Sequence, residues 1–342
     1  MRLYIKVGLF FLHKKITVFG EENIPKKGAV IFIGNHQNAL IDAILIPTTV
    51  KRNIHFLARA AAFKNAPVSK FLSSLNMIPV YRIRDGIKTI GKNLEVFDKC
   101  VELLHQEQAI EIFAEGEHHL KRKVLPFKKG FARIISIALQ KYPTLKIQIV
   151  PVGINYDSRL KYPASVSLHY GKPILASNFI SVENPDLRFS KIINEVSSSL
   201  KKLTIHIEDT ANYNAILTKL NALEVDFTNP TVTNKLIKNI EATPINPDVK
   251  TKKINWFAPI HFSTKLNSLL PLLIWKYLKP KINDIIFTNT YRFALITTLF
   301  PLFYLIQTAV VYYFFNVKFS LIYLASSILL GIITTKTMTI NQ

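Results

Sequence analysis

At 342 residues the chain is long enough for one large domain or two smaller ones. Lys and Arg outnumber Asp and Glu by 44 to 22, a net charge of +22 that points to a polyanionic partner. With 49% hydrophobic residues, 23 Phe and 13 Tyr, and with no zinc-finger or RNA-binding signature, an anionic membrane is the expected partner and nucleic acid is set aside. The single cysteine, Cys100, excludes an intrachain disulfide and Cys-rich metal sites and fits a reducing compartment.

Residues 1–16 carry Leu-Phe-Phe-Leu at positions 9–12, bounded by Lys6, His13, Lys14 and Lys15. This pattern predicts an interfacial helix over residues 1–17 with basic residues at lipid headgroups, not a cleavable signal peptide. Strands are predicted at 29–33, 54–58, 77–80, 109–113, 146–154 and 165–170. Helices are predicted at 39–46, at 90–104 and at 187–207. In the second of these Ile90, Leu94, Phe97, Val101 and Leu104 form one apolar stripe. The alternation predicts an α/β domain, 18–207, with a mostly parallel twisted sheet flanked by helices. Residues 208–255 are polar and rich in turn pairs such as Asn229-Pro230 and Asn246-Pro247, the sequence turns apolar from Trp256, and 208–285 together read as a helical or polar extension.

Residues 286–342 read as a transmembrane helical hairpin. Positions 293–315 form an uncharged run of 23 residues, about 35 Å as a helix, and 319–335 form a second, shorter one. Lys279, Lys281, Arg292 and Lys336 flank the outer ends, against Lys318 alone at the turn. That asymmetry places both ends, and the catalytic domain, on the cytoplasmic side.

Four segments carry candidate chemistry. In the first, a strand ends at Gly34-Asn35-His36, and Asp42 follows six positions after His36. A histidine with a carboxylate partner is a candidate general base, because the carboxylate fixes the ring tautomer and stabilises the imidazolium. The second, Ile78-Pro79-Val80-Tyr81-Arg82, ends in a guanidinium suited to phosphate. In the third, Phe113-Ala114-Glu115-Gly116-Glu117-His118-His119 is followed by Lys121, Arg122, Lys123, Lys128 and Lys129. Gly116 permits close backbone approach, and the cations favour an anionic substrate. No metal-ligand framework surrounds the two histidines. The fourth, Val150-Pro151-Val152-Gly153-Ile154, reads as structural.

In this order and spacing the four segments resemble the glycerolipid acyltransferase superfamily, which includes glycerol-3-phosphate and lysophosphatidate acyltransferases. The resemblance covers about residues 18–180. It implies that His36, oriented by Asp42, deprotonates an acceptor hydroxyl that attacks a fatty acyl thioester. The thioester is carried by CoA or acyl carrier protein as co-substrate, and no cofactor or metal is implied. By the same resemblance Arg82 contacts the acceptor phosphate, and Asn35, Glu115 and Gly116 line the acceptor site. Lys128 and Lys129 are expected to assist with anionic groups. The acceptor is a glycerol-phosphate lipid at an anionic membrane. Alternatives are another lysophospholipid or an amine-bearing lipid as acceptor, or a non-catalytic lipid-binding protein of the same fold. Two departures stand out. Five residues, not four, separate His36 from Asp42, and Glu117-His118-His119 stands where Thr-Arg-Ser is usual.

Overall fold

The computed structural model describes residues 1–81, 91–244 and 255–339. The chain opens with α1 (Arg2–Leu12), β1 (His13–Phe19), β2 (Ala29–Gly34), α2 (Ala39–Thr49), β3 (Ile54–Arg59), α3 (Ala66–Ser74) and β4 (Met77–Val80). It continues with α4 (Lys92–His105), β5 (Ala109–Phe113), α5 (Gly130–Lys141), β6 (Ile147–Tyr156), β7 (Ala164–Tyr170), β8 (Ile174–Leu175) and α6 (Pro185–Leu203). Seven further helices follow: α7 (Tyr213–Ala222), α8 (Pro230–Lys238), α9 (Ala258–Asn267), α10 (Leu269–Leu278), α11 (Thr288–Thr297), α12 (Leu299–Phe314) and α13 (Val317–Thr337).

The strands form one sheet in the order β1-β7-β6-β2-β5-β3-β4, with β8 beside β6. Pairings are parallel except β6 with β7 and β6 with β8. Every residue of β2 is buried, as expected of a parallel strand covered on both faces. Ile31 and Ile33 belong to the core under α4, α5 and α6, and Val30 and Phe32 to the core under α1 and α2. This is the α/β architecture expected from the sequence. In α4 the buried stripe is Val96, Cys100, Val101 and Leu104; Leu94, expected on it, is exposed, and Ile90 lies outside the described residues.

The N-terminal helix is shorter than expected. It stops at Leu12, and His13–Phe19 joins the sheet edge parallel to β7. The β-branched alternation Ile16-Thr17-Val18 suits an edge strand better than a continued interfacial helix. Helices α7 and α8 carry a small core of their own around Ile207, Leu220 and Phe227.

Two stretches, Ile285–Phe314 and Val317–Thr337, are long and apolar enough to cross a membrane. Their side chains are largely exposed, with none of the first window and 11% of the second buried within the protein, unlike core helices. Asn316 caps α13 by accepting from Phe319 N, which fixes the turn between them. The hairpin's base is joined to the α/β domain. Lys336 donates to the carbonyls of Phe10 and His13, and Arg292 donates to Leu160 O.

Candidate active site

Strand register brings the chemistry together. Gly34, the last residue of β2, lies opposite Phe113 of β5 on one side and Val152 of β6 on the other. The loops after these three carboxyl ends therefore converge, which is where open α/β sheets bind ligands. Asn35, expected at the acceptor site, instead pins β2 to β6. Its carboxamide donates to Ile154 O (3.0 Å) and accepts from Ile154 N (2.7 Å), and it is buried.

His36 and Asp42 meet. His36 Nδ1 lies 3.0 Å from Asp42 Oδ2, the imidazole 18% exposed and the carboxylate fully buried. The extra residue between them is absorbed in the turn. Ala39 takes φ +40°, a left-handed conformation uncommon for a residue with a Cβ, and the chain then enters α2. The tight turn aims two further donors at the same oxygen, Gln37 N at 2.7 Å and Asn38 N at 2.6 Å. The other oxygen accepts from the Tyr156 hydroxyl at 2.6 Å. Asp42 also sits in the first turn of α2, where the helix dipole favours negative charge. A buried carboxylate that accepts from four donors is fixed in place.

Because Nδ1 faces the carboxylate, its proton resides there and Nε2 is left as the basic nitrogen. Among the described residues no hydrogen-bond partner meets Nε2. The imidazole is stacked on Phe113, centroids 4.2 Å apart at 15°. Gly34 makes room for that ring, since a Cβ there would fall 2.9 Å from Phe113 Cε1.

The third sequence segment wraps around this pair. His119 N donates to His36 O. Gly116 takes φ +72°, and a Cβ on it would meet the stem of Lys128 at 3.0 Å, so glycine and lysine fit one another there. Glu115 is buried, and its Oε2 accepts a hydrogen bond from His119 Nε2 at 2.7 Å. Burial raises the Glu115 pKa, and the hydrogen bond from His119 offsets part of that. Lys121 N donates to His119 Nδ1. His118, in the position usually held by Arg, contacts Asp284 (3.1 Å) and stands edge-on to Phe287 and to His36. The base of the hairpin thus reaches the dyad. Lys129 is not gathered in; its ammonium lies 2.8 Å from Asp186 on an exposed surface. Arg82 lies outside the described residues. Among the described residues no group of three or more His, Cys, Asp or Glu side chains is placed to hold a metal.

Three contributors escaped the sequence reading. Tyr156 lies two residues past the segment read as structural, at the end of β6; its side chain is fully buried, and burial followed by the Asp42 charge raises its pKa. The signal was available, because a tyrosine at the carboxyl end of a strand beside β2 must face the same loops. His13, ring 6.1 Å from Tyr156, is buried with Nδ1 on Ala164 O, and burial lowers its pKa to about 4. Glu111 is buried with neither carboxyl oxygen bonded, so burial and then the nearby Asp42 charge push its pKa well up and keep it neutral.

A histidine–carboxylate pair stands at the carboxyl ends of a mostly parallel sheet, an arrangement able to take a proton from a hydroxyl. Residues 15–155 match the Acyltransferase family model. Glycerol-3-phosphate O-acyltransferase 2 of Saccharomyces cerevisiae is 30% identical over 128 residues, 36% of this chain and 17% of the yeast protein. A 1-acyl-sn-glycerol-3-phosphate acyltransferase of Borreliella burgdorferi is 32% identical over 130 residues, 38% of this chain. The matched stretch spans half of that relative's length and a much smaller share of the yeast one. The crystal structure of the 1-acyl-sn-glycerophosphate acyltransferase of Thermotoga maritima aligns with TM-score 0.42 at 25% identity, covering 58% of this chain and 78% of that one.

Proposed function

We propose that the chain is a membrane-bound O-acyltransferase that moves a fatty acyl group from a CoA or acyl-carrier-protein thioester to a hydroxyl of glycerol-3-phosphate or 1-acylglycerol-3-phosphate. The observation that carries this is the unpartnered Nε2 of His36 on a ring oriented by Asp42, inside the stretch that matches the Acyltransferase family model. The acceptor hydroxyl gives its proton to Nε2 as its oxygen attacks the thioester carbonyl carbon. The C–S bond breaks, and the imidazolium returns the proton to the departing thiolate. Asp42 stabilises the imidazolium in between, and the substrate supplies the nucleophilic oxygen, so no enzyme Ser or Cys is needed.

In this reading Arg82 receives the acceptor phosphate, and Lys128, lying over Gly116, adds positive charge beside Glu115. Helices α11 to α13 cross the bilayer as a hairpin with the catalytic domain on the cytoplasmic face. Its exposed apolar surface and basic flanks support this, and clustered cations contribute about 1 kcal/mol each near an anionic leaflet. A different acceptor, a lysophospholipid or an amine-bearing lipid, is favoured only by the His118-His119 substitution, which alters the wall beside the dyad.

The test is acyl transfer by purified protein in lipid, offered a thioester and a mixed acceptor pool, with the product identified by mass spectrometry. An acylated glycerol phosphate is the expected product. An acceptor without phosphate winning outright overturns the role given to Arg82, and no acylated product at all overturns the enzyme reading.

A further inference from the structure

Residues 258–278 close the helical or polar extension where the sequence turns apolar, and α9 and α10 present some of the largest exposed apolar side chains of the protein. Phe262, Leu266, Leu269, Leu270 and Leu273 are all more than half exposed. We infer that α9 and α10 form a re-entrant helical pair that enters the leaflet on the catalytic-domain side, turns at Asn267-Ser268 and returns to that side, its apolar faces covered by lipid acyl chains. This rests on reading α11 to α13 as a membrane-spanning hairpin.

The path follows from four sets of contacts. At the start of α9, His261 Nε2 lies 2.9 Å from Thr337 Oγ1, next to Lys336, which anchors α13 to the catalytic domain. Near its end, the Asn267 side chain accepts from Tyr323 OH (2.8 Å) and donates to Ser327 Oγ (3.1 Å), midway along α13. Ser268 Oγ meets Tyr304 OH at 2.6 Å, inside α12. By Trp275 the chain is back, because that ring lies 5.1 Å from the Arg292 guanidinium, which itself bonds Leu160 O of the catalytic domain. A helix continuing across the bilayer would bring Trp275 toward Phe314 instead. Each arm has ten residues and so reaches about 15 Å, half of a hydrocarbon core about 30 Å thick.

The polar groups at the turn behave as they must in hydrocarbon. A turn in water points Asn and Ser outward; here Ser268 is buried and both side chains are turned onto the hairpin, while leucines face out. Pro271 cannot donate to Asn267 O, and Gln307 Nε2 does so at 3.4 Å. Thr297 O, freed in the same way by Pro301, accepts from Tyr4 OH. The ends of the pair are interfacial in character, with Trp256 at one and Tyr277, Lys279 and Lys281 at the other. Lys265, two turns into α9, is exposed and has a stem long enough to carry its ammonium back to the headgroups.

Single-cysteine variants in sealed proteoliposomes test this, since native Cys100 is fully buried. With a membrane-impermeant maleimide on the catalytic-domain side, Trp256→Cys and Tyr277→Cys should label as Leu187→Cys does, and Phe315→Cys only after permeabilisation. Leu270→Cys should react about tenfold or more slowly than Leu187→Cys, because that reagent does not enter hydrocarbon. Tyr277→Cys labelled only together with Phe315→Cys would make the segment a full span and overturn the re-entrant path. Leu270→Cys as reactive as Leu187→Cys would make it a solvated surface and overturn it too. Phe315→Cys labelled from the Leu187 side would instead overturn the spanning hairpin itself.

Discussion

Of the histidine–carboxylate pairs gathered at this site, His36–Asp42 and His119–Glu115 are the two with a fully buried acid, and they are built differently. In the first, Asp42 is saturated by His36, two backbone amides and Tyr156, while His36 Nε2 faces no partner among the described residues. In the second, His119 is held at both nitrogens, by Glu115 at Nε2 and by Lys121 N at Nδ1. Glu115 Oε1 has no bonded partner, and burial raises the acid's pKa. A ring with both nitrogens engaged braces a loop; the His36 ring keeps one nitrogen able to take a proton. Proximity of a histidine to a carboxylate therefore does not separate the two pairs; the donor-saturated acid and the unpartnered nitrogen do.

Asp42→Asn removes the charge while keeping the shape, since an amide oxygen can still accept from the two backbone amides. It is expected to lower kcat by about 10²-fold or more, measured by acyl transfer, because the imidazolium loses its counter-charge. An unchanged kcat would reduce Asp42 to the same bracing role as Glu115.

The layer beneath the first pair has its own signature. His13 is neutral in the fold with a pKa of about 4, against about 6.5 when unfolded. As pH falls from 6.5 toward 4 the unfolded chain binds a proton that the folded one refuses, so stability is lost by up to about 3 kcal/mol. Thermal unfolding in detergent should decline over that window, and His13→Asn should flatten the decline; parallel curves would contradict it. Tyr156→Phe leaves one Asp42 oxygen buried without its donor, a cost of about 1–3 kcal/mol. It should lower kcat several-fold while leaving KM for the thioester nearly unchanged. A larger effect on KM than on kcat would place the hydroxyl against substrate rather than against Asp42.

The smallest effect is expected at Lys129. Its pair with Asp186 is exposed and screened by solvent, and Lys129→Ala should change stability and acceptor KM only slightly. A tenfold rise in acceptor KM would restore the role read from the sequence.

Most of the sheet was legible because period-two and continuous apolar runs mark buried strands directly, and 77–80 and 109–113 agree residue for residue with β4 and β5. β1 was hidden because its alternation follows an apolar run without a break. The meeting of His36 and Asp42 was legible from spacing, but the geometry that distinguishes them was not. Tyr156 comes from β6, 114 residues away from Asp42, and Phe113 reaches His36 only through strand register. Likewise the turn to apolar composition from Trp256 onward was legible, but the path of 258–278 was not. Only the packing reveals that Asn267 and Ser268 turn inward together.

The most direct measurement compares acyl-transfer rates of His36→Ala and His119→Ala, both verified as folded, under the same conditions. The first should fall by about 10²–10⁴-fold and the second far less, since only the first removes the proton acceptor. Equal losses, or a larger one at His119, would contradict the assignment of His36 as the base.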